Sequence, residues 1–109
     1  MNSIMNQFEI YIANLDPTIG SEIKKTRPVV IISPNELNHH LRTVIVAPIT
    51  SKVHNNIPTR IKIKLDNQVN YVVLDQLRTL DKVRLTKKIA ILTEDEFTEI
   101  KNSLLEMFL

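Results

Sequence analysis

The chain has no cysteine, no tryptophan and a single glycine in 109 residues. Without cysteine, neither disulfides nor thiolate-bound metal can hold it together, which fits a reducing compartment. One glycine excludes the phosphate-cradling loop and the dinucleotide fingerprint, because each needs at least two, and it excludes the GxSxG nucleophile elbow for the same reason. No run approaches the ~18 apolar residues of a membrane span, and the opening MNSIMNQFEIYI lacks the basic start and long apolar stretch of a signal peptide. These absences predict a soluble, cytoplasmic protein with no membrane partner. Histidine is scarce too. His39 and His40 are adjacent, so on an extended segment they point to opposite sides, and no third ligand stands at metal-binding spacing. With His54 they read as loop residues, and no metal or other cofactor is expected. Asp16, before Pro17, reads as a turn-former.

What is present suits a globular fold. Hydrophobic residues make up 43% and charged residues 24% of the chain, and its length predicts one domain over residues 1–109. The net charge of +2 hides an asymmetry. Residues 93–109 hold five acids and one base, a net of −4, whereas residues 1–92 hold thirteen bases and seven acids, a net of +6. Such a basic body is compatible with a polyanionic partner.

Period-two alternation of Phe8, Ile10 and Ile12 with Glu9, Tyr11 and Ala13 predicts a half-buried strand. NLDPTIGSE reads as a loop, PVVIIS as a strand from about residue 28, and SPNEL as a helix start with Pro34 just inside it. TVIVAPIT (43–50) predicts a strand buried on both faces, with Pro48 marking a bulge or an exit from the sheet. SKVHNNIP reads as a polar loop. Arg60, Lys62 and Lys64 alternate with Ile61, Ile63 and Leu65 in a strand with one cationic and one apolar face, and Asp66-Asn67 turns it into VNYVVL. Leu74, Leu77 and Leu80, spaced by three, suggest a short helical turn, and KKIAILT a last strand. From Thr93 the pattern is helical: Thr93 and Glu96 form a capping box, and Phe97, Ile100, Leu104 and Met107 or Phe108 share one face. The sum is α+β: a small, mostly antiparallel, barrel-like sheet with one long C-terminal helix.

The chemistry concentrates around GSEIKKTRPVVIIS. If the strands beginning at Pro28 and ending at Thr50 are antiparallel neighbours, Arg27 and Thr50 emerge at the same end of the sheet. A guanidinium and a hydroxyl converging on one point make a phosphate receptor, since Arg donates in fork geometry and Thr adds a further bond. Taken alone, the KKTR run reads rather as a solvated basic edge, since charge runs are usually surface.

The segments NLDPTIGSEIKKTRPVVIIS, VAPIT, IPTRIKI and LDQLRTLDKVRL, in that order from about Asn14 to the final helix, resemble successive signature blocks of the MazF/PemK family of toxin endoribonucleases. The resemblance implies a small SH3-like antiparallel β-barrel with a C-terminal α-helix, forming a two-fold homodimer whose loops and interface build RNA-binding grooves. It implies metal-independent cleavage of single-stranded RNA at a short sequence, and neutralisation by a cognate antitoxin. The family's catalytic Arg and Thr correspond to Arg27 and Thr50. Its loop between the first two strands corresponds to Gly20, Ser21 and Glu22 through Thr26, so that Lys24 and Lys25 become phosphate-positioning residues, and Ser51, Lys52 and Gln76 become RNA contacts. One departure is visible: family members usually begin the first strand with Gly-Asp or Gly-Glu, often after Arg, where this chain has Gln7-Phe8-Glu9. Two other readings are a non-catalytic poison like the gyrase-binding CcdB toxins, whose fold is similar, and a plain RNA-binding barrel. Against the first, the C-terminal helix ends in LLEMFL without tryptophan.

Overall fold

A computed structural model of the chain describes residues 4–16, 20, 26–52 and 56–109. Among these, seven strands pair in antiparallel fashion: β1 (Glu9–Asn14), β2 (Thr26–Ile31), β3 (Thr43–Thr50), β4 (Arg60–Leu65), β5 (Gln68–Val73), β6 (Arg78–Asp81) and β7 (Leu85–Ile91). A one-turn helix, α1 (Asn35–Asn38), joins β2 to β3, and a long helix, α2 (Glu94–Phe108), closes the chain. The strand order is β4-β5-β3-β2-β1-β7, and β6 pairs with the first half of β3. The α+β class and the curled sheet with a C-terminal helix agree with the sequence reading, with β4 and β7 at the two ends of the strand order.

Burial explains why so many strands are apolar on both sides. On one face Ile10, Val30, Ile49, Ile61, Ile63 and Val72 pack with Ile100, Phe97 and Leu104 of α2. On the other, Tyr11, Ala13, Val29, Ile31, Val46 and Leu80 form a second core. The alternation in β1 therefore separates two cores rather than core from solvent: Tyr11 and Ala13 are buried, and Ile12 is only half-buried. The short helical turn read from the three-residue spacing of leucines is present at Leu74 but does not extend to Leu80. Leu74 starts a single 3-10 turn and lies in the first core, whereas Leu80 lies on β6 in the second. Side chains that fill opposite faces of a sheet cannot form one helical stripe.

Local signals fix the remaining elements. Asp66 and Asn67 both adopt positive φ (53° and 60°), as a two-residue hairpin turn between β4 and β5 requires, and these are side chains that tolerate it. Pro34 is the cap preceding α1 rather than its first residue. The Thr93 hydroxyl accepts the Glu96 N–H, and the Glu96 carboxylate accepts the Thr93 N–H, completing the expected box. The second Glu96 oxygen accepts the Lys64 N–H at 2.9 Å, so one carboxylate ties the start of α2 to the edge strand β4.

Among the described residues Phe8 is the one bulky side chain with positive φ, at 71°. Its N–H donates to the Ile31 carbonyl at 2.7 Å and its carbonyl accepts the Leu92 N–H at 3.0 Å, so its backbone is pinned between the ends of β2 and β7. This is the position where the first-strand motif departs from glycine. The ring is buried and stacks on Phe97 with centroids 4.9 Å apart, and the Lys101 ammonium lies 5.7 Å from it. Favourable packing offsets an unfavourable backbone conformation.

Candidate active site

β2 and β3 pair as Val29↔Pro48, Val30↔Ala47 and Ile31↔Val46. Continuing that register by two residues sets Arg27 opposite Thr50, on the same face of the sheet, as the sequence reading required. The two prolines explain why the ladder stops short of them. Pro28 cannot donate, and Pro48 sits in its last rung, so the strands stay adjacent without backbone bonds at the final pair. Arg27 is held on its other side by pairing with Ala13, and its Nη1 donates to the Ile49 carbonyl at 3.4 Å. Arg27 as a whole is half-buried, on a strand flanked by β1 and β3.

Thr50 is only 7% exposed. Among the described residues four polar side chains are buried, and three are fully occupied within the fold. Ser33 and Asn38 bond each other and the adjoining backbone. Glu9 accepts from the Asn6 N–H at 2.8 Å, the Tyr11 hydroxyl at 3.2 Å and the Lys88 ammonium at 2.7 Å. Burial raises the Glu9 carboxyl, but these donors outweigh it and hold the group below its usual value. Burial and the neighbouring carboxylate push Tyr11 up to about 12. Thr50 differs: its oxygen accepts one bond, from the Lys52 N–H at 3.2 Å, which leaves its O–H to donate. A buried hydroxyl with donor capacity beside a half-buried arginine is suited to a phosphoryl group.

Three other expected residues follow Thr50 or lie on the turn beside β3. Ser51 and Lys52 continue directly from Thr50 and are exposed. Gln76 ends the 3-10 turn Leu74–Gln76, which spans the gap between the β3–β5 rung Ile49↔Val72 and the β3–β6 rung Val46↔Arg78, and so runs alongside Ala47–Pro48. Asp75 fixes that turn: it accepts from Arg60 at 2.8 and 3.1 Å and from the Thr59 hydroxyl at 2.9 Å. The Arg60 bonds, opposed by burial, hold the Asp75 carboxyl below its usual value. Gly20 has φ +62° with open space where a Cβ would lie, so backbone conformation rather than crowding selects glycine there. Ser21, Glu22, Lys24, Lys25 and His54 lie outside the described residues. His39 Nε2 bonds Asn6 Oδ1 and His40 Nδ1 donates to the Glu36 carbonyl, so the two rings serve different local contacts. Among the described residues no three His, Asp or Glu side chains come together as a metal ligand set.

A family model described as PemK-like, MazF-like toxin of type II toxin-antitoxin system matches residues 6–108. The chain belongs to this toxin family. It is 39% identical over 107 residues to the Endoribonuclease MazF of Staphylococcus saprophyticus, covering 93% of this chain and 88% of that one. The crystal structure of MazF from Deinococcus radiodurans superposes with a TM-score of 0.84 at 21% identity over 97% of each chain. An endoribonuclease in complex with its cognate antitoxin, from a mycobacterial species, has a TM-score of 0.78 at 22% identity over 94% of this chain and 92% of that one.

Two arginines of the toxin escaped sequence reasoning. Arg78 Nη1 donates to the Leu15 carbonyl at 3.0 Å, and Arg84 Nη1 donates to the carbonyls of Asn14, at 3.3 Å, and Asp16. Together they fasten the segment where the chain leaves β1 toward Gly20. Both lie in LDQLRTLDKVRL, but a basic residue on a strand or turn gives no sequence sign that it will reach a carbonyl more than sixty residues away.

Proposed function

We propose that this toxin cleaves single-stranded RNA, mRNA in particular, at a short recognised sequence in the cytoplasm and without a metal ion, with Arg27 and Thr50 stabilising the transition state. The observation that carries this reading is the in-register placement of Arg27 against a buried Thr50 with donor capacity to spare. The 2′-hydroxyl adjacent to the scissile phosphate attacks phosphorus; the bond to O2′ forms as the bond to O5′ breaks. Its proton leaves to Glu22 or to water, and the departing 5′-oxygen takes one from the surroundings. The fragments then end in a 2′,3′-cyclic phosphate and a 5′-hydroxyl.

Negative charge grows on the non-bridging oxygens during this step, and fixed donors aimed at it lower the barrier. Arg27 supplies a permanent positive charge, and Thr50 donates one further bond. Arg27 is no general base, because a guanidinium does not give up its proton in a protein. With the nucleophile inside the substrate, no metal-activated water is needed. The loop from Gly20 through Ser21, Glu22, Lys24 and Lys25, together with Ser51, Lys52 and Gln76, holds the RNA, the lysines through the backbone and hence in a salt-sensitive manner.

The family assignment and the basic body also support a cognate antitoxin with an acidic segment as partner. A homodimer is supported by exposed apolar side chains on α2 (Leu105, Phe108) and on the end strand β7 (Ile91). The deciding experiment incubates purified protein with a long single-stranded transcript in EDTA. Discrete fragments with cyclic-phosphate ends are expected from wild type and none from Arg27→Ala or Thr50→Val, while the same sequence as DNA is bound and left intact. Undiminished cutting by both variants overturns the assignment.

A further inference from the structure

The row that holds Arg27 and Thr50 does not stop at β3. Thr50 pairs with Tyr71 on β5, and Tyr71 pairs with Lys62 on the end strand β4. Directly opposed residues share a face of the sheet, so Arg27, Thr50, Tyr71 and Lys62 form one cross-strand line. At ~4.8 Å per strand, Lys62 stands about 10 Å from Thr50, and Lys64 lies about 7 Å further along β4 on the same side. The intervening Ile61 and Ile63 point into the core beneath α2, which turns both lysines to the face of the proposed site.

The cations on this strand are not equivalent. Arg60 is committed to Asp75 through two bonds. Lys62 and Lys64 are exposed, and neither ammonium has a partner among the described residues. The α2 carboxylate that reaches β4, Glu96, is occupied by the backbone N–H groups of Lys64 and Thr93. Two free ammonium groups spaced by about one step of an extended nucleic acid strand, in line with a phosphate receptor, suit consecutive backbone phosphates.

We propose that Lys62 and Lys64 extend the RNA site over β5 and β4, holding the phosphates on one side of the scissile bond. The inference rests on the reading of this face as an RNA site. It predicts affinity without sequence preference, because ammonium groups on phosphates position a strand but read no bases.

The test compares the Lys62→Gln/Lys64→Gln double variant with wild type and with Lys87→Gln, an exposed lysine on β7. The probe is a mixed-sequence 2′-O-methyl RNA, which cannot be cut because its nucleophile is blocked. Losing two phosphate contacts should flatten the dependence of log affinity on log salt by about 1.4 and weaken binding about 25-fold near 0.1 M salt. On a long cleavable transcript KM should rise while kcat stays at its wild-type value. Unchanged salt dependence, an equal loss in Lys87→Gln, or a loss confined to an acidic peptide each overturns the proposal. Lysine-dependent binding by a protein that cuts no RNA would remove the cleavage reading and leave this one standing; cleavage with lysine-independent binding would do the reverse.

Discussion

Position 8 offers a test in which the backbone and side-chain terms separate. Phe8 is held at φ 71° by its bonds to Ile31 and Leu92, so any residue there inherits that conformation. Truncating the ring removes the stack on Phe97 and a side chain only 7% exposed, which costs about 3–5 kcal/mol. Phe8→Ala and Phe8→Gly suffer this loss almost equally. They differ in the backbone: alanine keeps a left-handed penalty of about 1–2 kcal/mol that glycine escapes, while glycine gives up about 0.5–1 kcal/mol through its freer unfolded chain. Phe8→Gly should therefore be more stable than Phe8→Ala by about 0.5–1 kcal/mol, a few degrees in Tm. At an ordinary strand position the order is reversed. Urea titrations and thermal melts of the three proteins, at one fixed protein concentration, measure both gaps. An alanine variant equal to or more stable than the glycine variant would refute the claim that position 8 is strained.

The Glu9–Lys88 pair should respond asymmetrically, because the carboxylate is buried and the ammonium half-exposed. Lys88→Met strands the carboxylate and should cost about 2–4 kcal/mol, against about 1 kcal/mol for Glu9→Gln. In wild type the lowered Glu9 value means that its contribution is present above the usual 4.5 and disappears as pH falls through the folded value. In Lys88→Met burial is opposed only by the Asn6 N–H and the Tyr11 hydroxyl, so the carboxyl rises and the deficit should shrink on acidification; a deficit constant from pH 7 to pH 4 in urea titrations would contradict this. At the other end of the chain, Glu96→Ala should cost more than the ~1 kcal/mol expected for Thr93→Ala, since it also removes the acceptor for the β4 edge. Equal losses in denaturant titrations would mean that the bond to Lys64 contributes nothing.

The parts of the fold that were legible in sequence are those governed by neighbours in the chain. The capping box at Thr93, the Asp66-Asn67 turn and the cationic alternation of β4 each state a local requirement that a few side chains satisfy. The candidate pair was legible through register: two apolar strands joined by a short connection leave little choice about which ends meet, and each carries a proline near the end concerned. The second core was not legible, because Tyr11 and Ala13 become buried only once Leu80 of β6 and Leu85 of β7, distant in sequence, pack with them. The leucine spacing from Leu74 to Leu80 held for one turn only, for a related reason, since the chain passes from one core to the other within those residues. Arg78 and Arg84 depend on carbonyls distant in sequence, and the positive φ of Phe8 depends on two strand ends that no local pattern reveals.

β3 bonds to β2, to β6 and, at its end, to β5, and Thr50 is its last residue. In genetic terms, the strand that presents the hydroxyl is also the strand whose loss dismantles the sheet. Alleles that silence the toxin should thus divide by position. Polar replacements at Val44, Val46 or Ile49 should erase the protein itself, whereas, on the proposed assignment, changes confined to Arg27 or the Thr50 hydroxyl should leave an intact, inert molecule able to occupy the antitoxin. A cell carrying the second kind would hold a decoy rather than a deletion.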